Sequence, residues 1–413
     1  MRVQCAIAGG GPAGMLLGYM LARAGVDVTV FEKHADFLRD FRGDTIHPST
    51  LDVMFELGLL DEFLKRPHQE VRQLGGEIGR AFVRIADFSH VPTHCKFLAL
   101  MPQWDFLDFL AVHAARFPSF TLERQAEVVG VIEEQGRVAG VRVKRSSGVG
   151  DVRADLVVGA DGRSSIVRER AGLMVEDVGA PIDVLWMRLS RKATDPDQSF
   201  GHIEAGAIFV MIDRSEYWQC AYVIPKGAAD AVRAGGIDAF RERIATLEPF
   251  FRDRVGELRD WSDVSLLTVK IDRLRQWYRD GLLCIGDAAH AMSPVGGVGI
   301  NLAIQDAVAA ANLLVEPLRR GACSIEDLKR VQERREWPTR ATQRLQVIVQ
   351  ERVMFPTLGR TAPVTVPWVV KLLDRFAVLR RIPARVIGVG FRPEHVSKAV
   401  ANPDTESPHP AAR

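Results

Sequence analysis

The sequence predicts an α/β fold, α+β overall, in which a dinucleotide-binding domain is interrupted by a β-rich layer and followed by a C-terminal helical segment. Three observations lead there. A short apolar run, Val3 to Ala8, passes directly into Gly9-Gly10-Gly11-Pro12-Ala13-Gly14 and then into a helical pattern. Two later apolar runs end in Asp161-Gly162 and Gly286-Asp287. Between those two lies a stretch, about 181–270, dominated by β-type runs.

Along the chain, Ala13 to Ala24 reads as a helix with Gly25 just past its end, and Val26 to Glu32 as a second strand. This is a βαβ unit. Pro48 to Leu57 and Leu60 to Lys65 look helical, and Gln73 to Ala99 alternates as strands do. Trp104 to Phe117 returns to helical spacing. Leu122 to Arg145 reads as strands joined at Gln135-Gly136, and Leu156 to Gly159 as a buried strand. The β-rich layer centres on Ala207 to Ile212 and Trp218 to Ile224. Leu282 to Ile285 is another buried-strand run, followed by helices over Asn301 to Leu318 and Glu333 to Glu351. The expected division is 1–72, 100–180 and 271–350 for the dinucleotide domain, 73–99 and 181–270 for the β-rich layer, 351–401 for the helical segment, and 402–413 for a disordered tail.

The bulk composition narrows the function. A net charge of only +2, with no basic run interleaved with aromatics, gives no footing for nucleic acid. Cys5, Cys95, Cys220, Cys284 and Cys323 are scattered without a CxxC pair or a His/Cys cluster, so neither a disulfide framework nor a structural metal is expected. No run of about twenty uninterrupted apolar residues suggests a membrane span. The apolar Met15 to Leu21 follows glycines in the wrong order for a secretory leader, and a cytoplasmic protein is expected.

The spacing Gly9-x-Gly11-x-x-Gly14 between a strand and a helix has a mechanical meaning. One glycine permits a tight turn, one lets the backbone approach a pyrophosphate, and one lets helix and strand pack closely. Pro12 and Ala13 open the helix whose N-terminus faces phosphate charge. Glu32, with Lys33 after it, ends the second strand where a carboxylate can accept bonds from ribose hydroxyls. This motif alone does not choose between FAD and NAD.

The sequences around Asp161-Gly162-Arg163-Ser164-Ser165-Ile166-Val167-Arg168 and Gly286-Asp287-Ala288-Ala289-His290, with Pro294-Val295-Gly296-Gly297-Val298-Gly299-Ile300-Asn301, resemble the class A flavoprotein aromatic hydroxylases, the p-hydroxybenzoate hydroxylase-like family. The resemblance covers most of residues 1 to about 395. It implies a Rossmann-type FAD-binding domain with an inserted β-sheet substrate domain. It implies that Glu32 holds the adenosine ribose and Asp287 a ribityl hydroxyl, while backbone amides at Ile300 and Asn301 face the flavin, with Gly297 and Gly299 in the same loop. Arg42 matches the family arginine near the pyrophosphate, Gln103 a glutamine beside the cofactor, and Val128 a strand position facing the adenine. Asp161 matches a segment linked to both FAD and NAD(P)H, and its own expected role is to hold the turn.

By the same resemblance, NADPH or NADH docks transiently and reduces the FAD. O2 then gives a flavin C4a-hydroperoxide that hydroxylates an aromatic or heteroaromatic small molecule. Pro294 and Gly296 are expected to line the oxygen site, and no side-chain base is assigned. His47, Met211, Tyr222 and Pro294 are candidates for the substrate site. A flavin-dependent reductase or halogenase of the same fold, and a binding protein without redox chemistry, remain as alternatives, although no WxWxIP motif of a halogenase is present. Pro367 to Val389 is apolar and basic; a helix packed on the domain, a homodimer contact or a peripheral membrane contact each fit it.

Overall fold

The computed structural model describes residues 2–38, 45–197, 199–321 and 323–401. The chain opens with the βαβ unit, β1 (Arg2–Ala8), α1 (Pro12–Arg23) and β2 (Val28–Glu32). After α2 (Pro48–Glu56) it crosses to a second sheet for the hairpin β3 (Gln73–Ile78) and β4 (Ala81–Asp87). It returns for β5 (Phe120–Arg124) and β6 (Gly148–Gly159), then leaves again for β7 (Ile182–Ser190), β8 (Phe200–Glu204), β9 (Ala207–Asp213), β10 (Tyr217–Pro225) and helix α3 (Ile237–Leu247). It comes back as β11 (Leu282–Cys284), α4 (Gly299–Arg319) and α5 (Ile325–Val349), and ends with α6 (Trp368–Arg375) and α7 (Arg381–Gly388) against β4.

Within the eight-stranded first sheet, β11–β6–β1–β2–β5 form a parallel core, with Tyr278–Arg279 antiparallel to β11 and Arg137–Arg145 antiparallel to the first half of β6. Parallel strands are buried on both faces, which is why β1 and β2 read as continuous apolar runs rather than as alternation. All five carboxyl ends therefore emerge at one edge, where ligands bind in open α/β sheets. The stretch Val295–Arg319 is long and apolar enough to cross a membrane, but 78% of its most apolar window is buried inside the protein. Its hydropathy is that of a core helix.

The second sheet runs Ser265–Leu267, β7, β10, β9, β8, β3, β4, antiparallel except where β8 meets β3. Here strict alternation assigns the two faces. Leu185, Met187, Phe209, Met211, Trp218 and Tyr222 form one face, packed against Phe240 and Ile244 of α3 and against Phe251. Ile182, Ile208 and Val223 form the other face and meet Val295, Met354 and Leu358.

Three features depart from the sequence reading. Helix α3 lies within the stretch read as strands; Ile237, Phe240, Ile244 and Leu247 follow helical spacing, and this short amphipathic stripe covers the sheet. Leu98–Leu100 does not join the second sheet but pairs with Thr45–Ile46 and Gln69–Val71. Helix α5 starts at Ile325 rather than near Glu333, because Ser324 and Asp327 form a reciprocal capping box. The expected tail from Asn402 lies outside the described residues.

Phe240→Ala removes the largest side chain that α3 places under the sheet. Expected is a loss of about 3–5 kcal/mol in urea unfolding; a loss below about 1 kcal/mol would show that α3 does not cover this face.

Candidate cofactor and active site

The three motif loops leave adjacent strands at one level. Ala8 pairs with Gly159 and Gly159 with Cys284, so the ends of β1, β6 and β11 lie side by side. Backbone bonds continue past the strands, Ala160 N to Ala8 O at 2.8 Å and Ile285 N to Gly159 O at 2.9 Å. This close approach dictates glycine at the first turn. Gly9 has φ 104°, and a Cβ there would lie 2.4 Å from Ala160 O. At Gly14 it would lie 2.0 Å from Gly9 O. Gly11 is different: nothing lies within 4 Å of its missing Cβ, so bare backbone faces open space at the N-cap of α1, where no side chain caps the helix. Pro12 and Ala13 fill the first turn behind it. Glu32, buried at the end of β2, accepts from Gly10 N (3.0 Å) and from His34 N (3.0 Å). It braces the glycine loop besides presenting a carboxylate there, while Lys33 points outward as an exposed residue.

The Gly286-Asp287 loop is held from behind by a carboxylate the sequence reading missed. Gly286 sits between the first turn of α1 and the second turn of α4: its Cβ would lie 3.2 Å from Ala13 Cβ and 3.1 Å from Ala303 Cβ. Asp306, fully buried on α4, accepts from Gly286 N (3.0 Å) and His290 Nε2 (2.6 Å) through one oxygen, and from Arg335 Nε (3.1 Å) through the other. Arg335 Nη1 goes on to Glu394 Oε1 at 3.2 Å. Burial disfavours charge on Asp306, but His290 and Arg335 outweigh it and keep its pKa below the usual carboxylate range. His290 is thereby an anchor of the loop. Asp287 itself stays about one-third exposed, with Arg163 Nη2 3.6 Å away. Asp161 accepts from Val167 N (3.1 Å) and so holds the turn into Ile166–Arg170; burial pushes its pKa up.

The third loop, Pro294 to Gly299, is clamped at both ends. The Gln346 side chain accepts from Ser293 N (3.2 Å) and donates to Ser293 O and Val295 O (both 2.9 Å). Gly296 and Gly297 both have positive φ, and a Cβ on Gly297 would meet Thr45 Oγ1 at 2.9 Å. Asn301 accepts from His47 N (3.0 Å) and Thr50 Oγ1 (2.7 Å), and donates to Thr45 O (3.2 Å) and Gly297 O (3.3 Å). Its side chain thus ties the start of α4 to the segment leading into α2. Val298, the N-cap of α4, makes no side-chain cap, and the first intrahelical bond is Leu302 N to Val298 O. The amides of Gly299, Ile300 and Asn301 therefore have no intrahelical acceptor and carry the positive end of the helix dipole.

His47 lies beside this loop with its side chain buried. Its Nδ1 is 2.6 Å from Ile387 O, and since a carbonyl only accepts, Nδ1 carries the proton. Burial lowers its pKa to about 4, against the opposing carbonyls of Ile387 and Gly296. It joins α7 to the site and does not face open space. The substrate expectation for Met211 and Tyr222 is corrected: both lie in the core beneath α3, because side chains on a strand alternate and these two share the face of Phe209. Their neighbours Ile208 and Val223 have the face toward Val295. Gln103 begins the helix Gln103–Ala114 and is partly exposed, and Val128 is buried in strand Glu127–Glu134 opposite Val143. Arg42 lies outside the described residues.

Gln346 and Arg335 had no visible signal, since α5 buries a polar stripe, Gln332, Arg335, Thr339, Gln343 and Gln346. Asp306 was legible only as part of the helix that begins near Asn301.

The His47 shift has a pH consequence. The folded state resists protonation until about pH 4, whereas the unfolded chain takes up the proton near 6.5. Stability is complete above pH 6.5 and falls as pH drops toward 4, by roughly 3 kcal/mol from this group. In His47→Asn, whose Nδ2 can still donate to Ile387 O, the urea midpoint should fall less between pH 7.5 and 5 than in the parent. Equal falls would rule out His47 as the source.

The site fits a flavin dinucleotide. It offers open backbone at Gly11, two uncapped helix N-termini for anionic groups, and a buried carboxylate at Glu32. A family model described as FAD binding domain matches residues 2–345. The chain is 36% identical over 385 residues to 6-methylpretetramide 4-monooxygenase of Streptomyces rimosus, covering 92% of this chain and 91% of that protein. It is 29% identical over 327 residues to dialkyldecalin synthase of Streptomyces rugosporus, covering 73% of this chain and spanning only 63% of that longer protein. The crystal structure of p-nitrophenol 4-monooxygenase PnpA from Pseudomonas putida superposes with a TM-score of 0.73 at 19% identity, over 94% of this chain and 96% of that one, which shows a shared fold. On the match over 2–345 and the 36% identity, this chain belongs to the FAD binding domain family, that of the class A flavoprotein aromatic hydroxylases.

Proposed function

We propose that this protein is an NAD(P)H-dependent FAD monooxygenase that hydroxylates an aromatic or heteroaromatic small molecule. In the overall reaction one atom of O2 enters the substrate and the other leaves as water, with two electrons from NADPH or NADH. Bound FAD would supply the electron store and the activation of O2. The protein's own residues do the rest. Glu32 and Asp287 are the carboxylates for sugar and ribityl hydroxyls, and the first-turn amides of α4 stabilise negative charge at the flavin edge. The clamps at Gln346 and Asn301 fix the Pro294–Gly299 loop, with Pro294 and Gly296 as oxygen-site lining. Val295, Ile208, Val223, Met354 and Leu358 supply an apolar surround that excludes water.

The observation that carries this reading is the meeting of the Pro294–Gly299 loop, through Val295, with the face of the second sheet opposite α3. A second reading, flavin binding without oxygen insertion, takes its support from a relative named as a synthase.

The purified protein should be yellow, and Asp287→Ala should weaken FAD binding about tenfold or more by fluorescence titration. NADPH and NADH oxidation against a panel of aromatic compounds, with peroxide measured in parallel, separates the readings. Oxidation that rises with a compound while peroxide stays low is expected. A flavin-loaded protein that oxidises neither nucleotide with any compound, and yields no peroxide, would overturn the monooxygenase reading.

A further inference from the structure

Among the described residues, the apolar and basic segment Pro367 to Val389 reaches the site through the Ile387 carbonyl on His47. Its inner side is anchored on β4 and the segments that follow it. Arg84 N donates to Asp374 Oδ1 at 3.0 Å, Ala384 packs with Phe88 and Leu98, and a Cβ on Gly388 would lie 3.0 Å from the Phe88 ring. Its outer side is apolar where a surface should be polar: Trp368 is 74% exposed, Val378 60% and Ile382 64%. Trp368, Val369 and Leu372 fall on one arc of α6, and Phe82 of β4 joins Trp368 and Leu372 along an apolar groove.

The charge around this crest is one-sided. Residues 360–392 carry seven Lys and Arg against one Asp, in a chain whose net charge is only +2. The one acid, Asp374, is bonded inward to Arg84 N, while Lys371, Arg375, Arg381 and Arg385 are exposed around the apolar residues. A second copy of the chain would present this patch to itself across a two-fold axis, cation against cation. An anionic bilayer matches both features, with acyl chains for Trp368 and Ile382 and headgroup phosphates for the Lys and Arg ring.

We propose that α6 and α7 dock this protein reversibly on an anionic lipid surface. The proposal is independent of the reaction assigned above. It places the surface one helix from the site, because α7 carries Ile382 outward and the Ile387 carbonyl inward to His47.

The test is co-sedimentation of the full chain, loaded with FAD, with vesicles of phosphatidylcholine alone or mixed with phosphatidylglycerol. Binding is expected to the mixed vesicles only and to weaken as salt rises. Lys371→Glu combined with Arg381→Glu should weaken it by roughly fivefold or more per site. Trp368→Ser combined with Ile382→Ser should weaken it comparably, with unchanged melting temperature and gel-filtration volume. No binding to mixed vesicles at low salt, or equal binding to neutral ones, would overturn the proposal. So would a dimeric parent that the Trp368→Ser and Ile382→Ser pair converts to monomer, since a second copy would then cover the patch.

Discussion

Asp306 carries a charge where no water reaches it, and much of the site depends on that charge being balanced. One oxygen receives the Gly286 amide and His290; the other receives Arg335, which continues to Glu394. Taken alone, such a buried ionic set is weak evidence for stability, because desolvation offsets most of the attraction. Its value here is positional. It links α4, the Gly286–His290 loop, α5 and the segment around Glu394 into one arrangement, and removing a member leaves the others buried and unbalanced. Gly286 then has room only because it lacks a side chain between Ala13 and Ala303.

Around that anchor the molecule repeats one solution, in which a side-chain amide or carboxylate satisfies a loop's backbone. Asn301 serves Thr45, His47 and Gly297; Gln346 serves Ser293 and Val295; Gln343 donates to Asp272 O and Ala291 O. Where these segments end a short ladder or leave it, their buried amides and carbonyls lack a strand partner and need such side chains. The polar stripe on α5 supplies several of them. The loops are thus set before any ligand arrives, which lowers the ordering cost of binding.

The strands and the glycine turns were legible because each rests on local chemistry. Gly9 and Gly14 have no room for a Cβ, and β1 must be apolar on both sides. Helix α3 shows its helical spacing in Ile237, Phe240, Ile244 and Leu247, but the strand runs that precede it in the same stretch masked that short stripe. The face assignment of Met211 and Tyr222 failed for a related reason. Alternation states that Met211 and Ile212 point oppositely, but which of them faces the site depends on where α3 packs, a tertiary fact. The partners on α5 were hidden because Gln and Arg at helical spacing read as a solvated face. Only the carbonyls and carboxylate they meet across the fold make that face an interior one.

The central claim is that the buried Asp306 network sets the Gly286–His290 loop, which we propose receives the flavin. It is tested most directly by titrating FAD into apo Asp306→Asn and following flavin fluorescence, with circular dichroism as a check that the variant is folded. The isosteric change keeps the shape and removes the charge that balances Arg335. The account predicts a folded protein whose FAD affinity is weaker by about tenfold or more. A folded variant that binds FAD as tightly as the parent would contradict it.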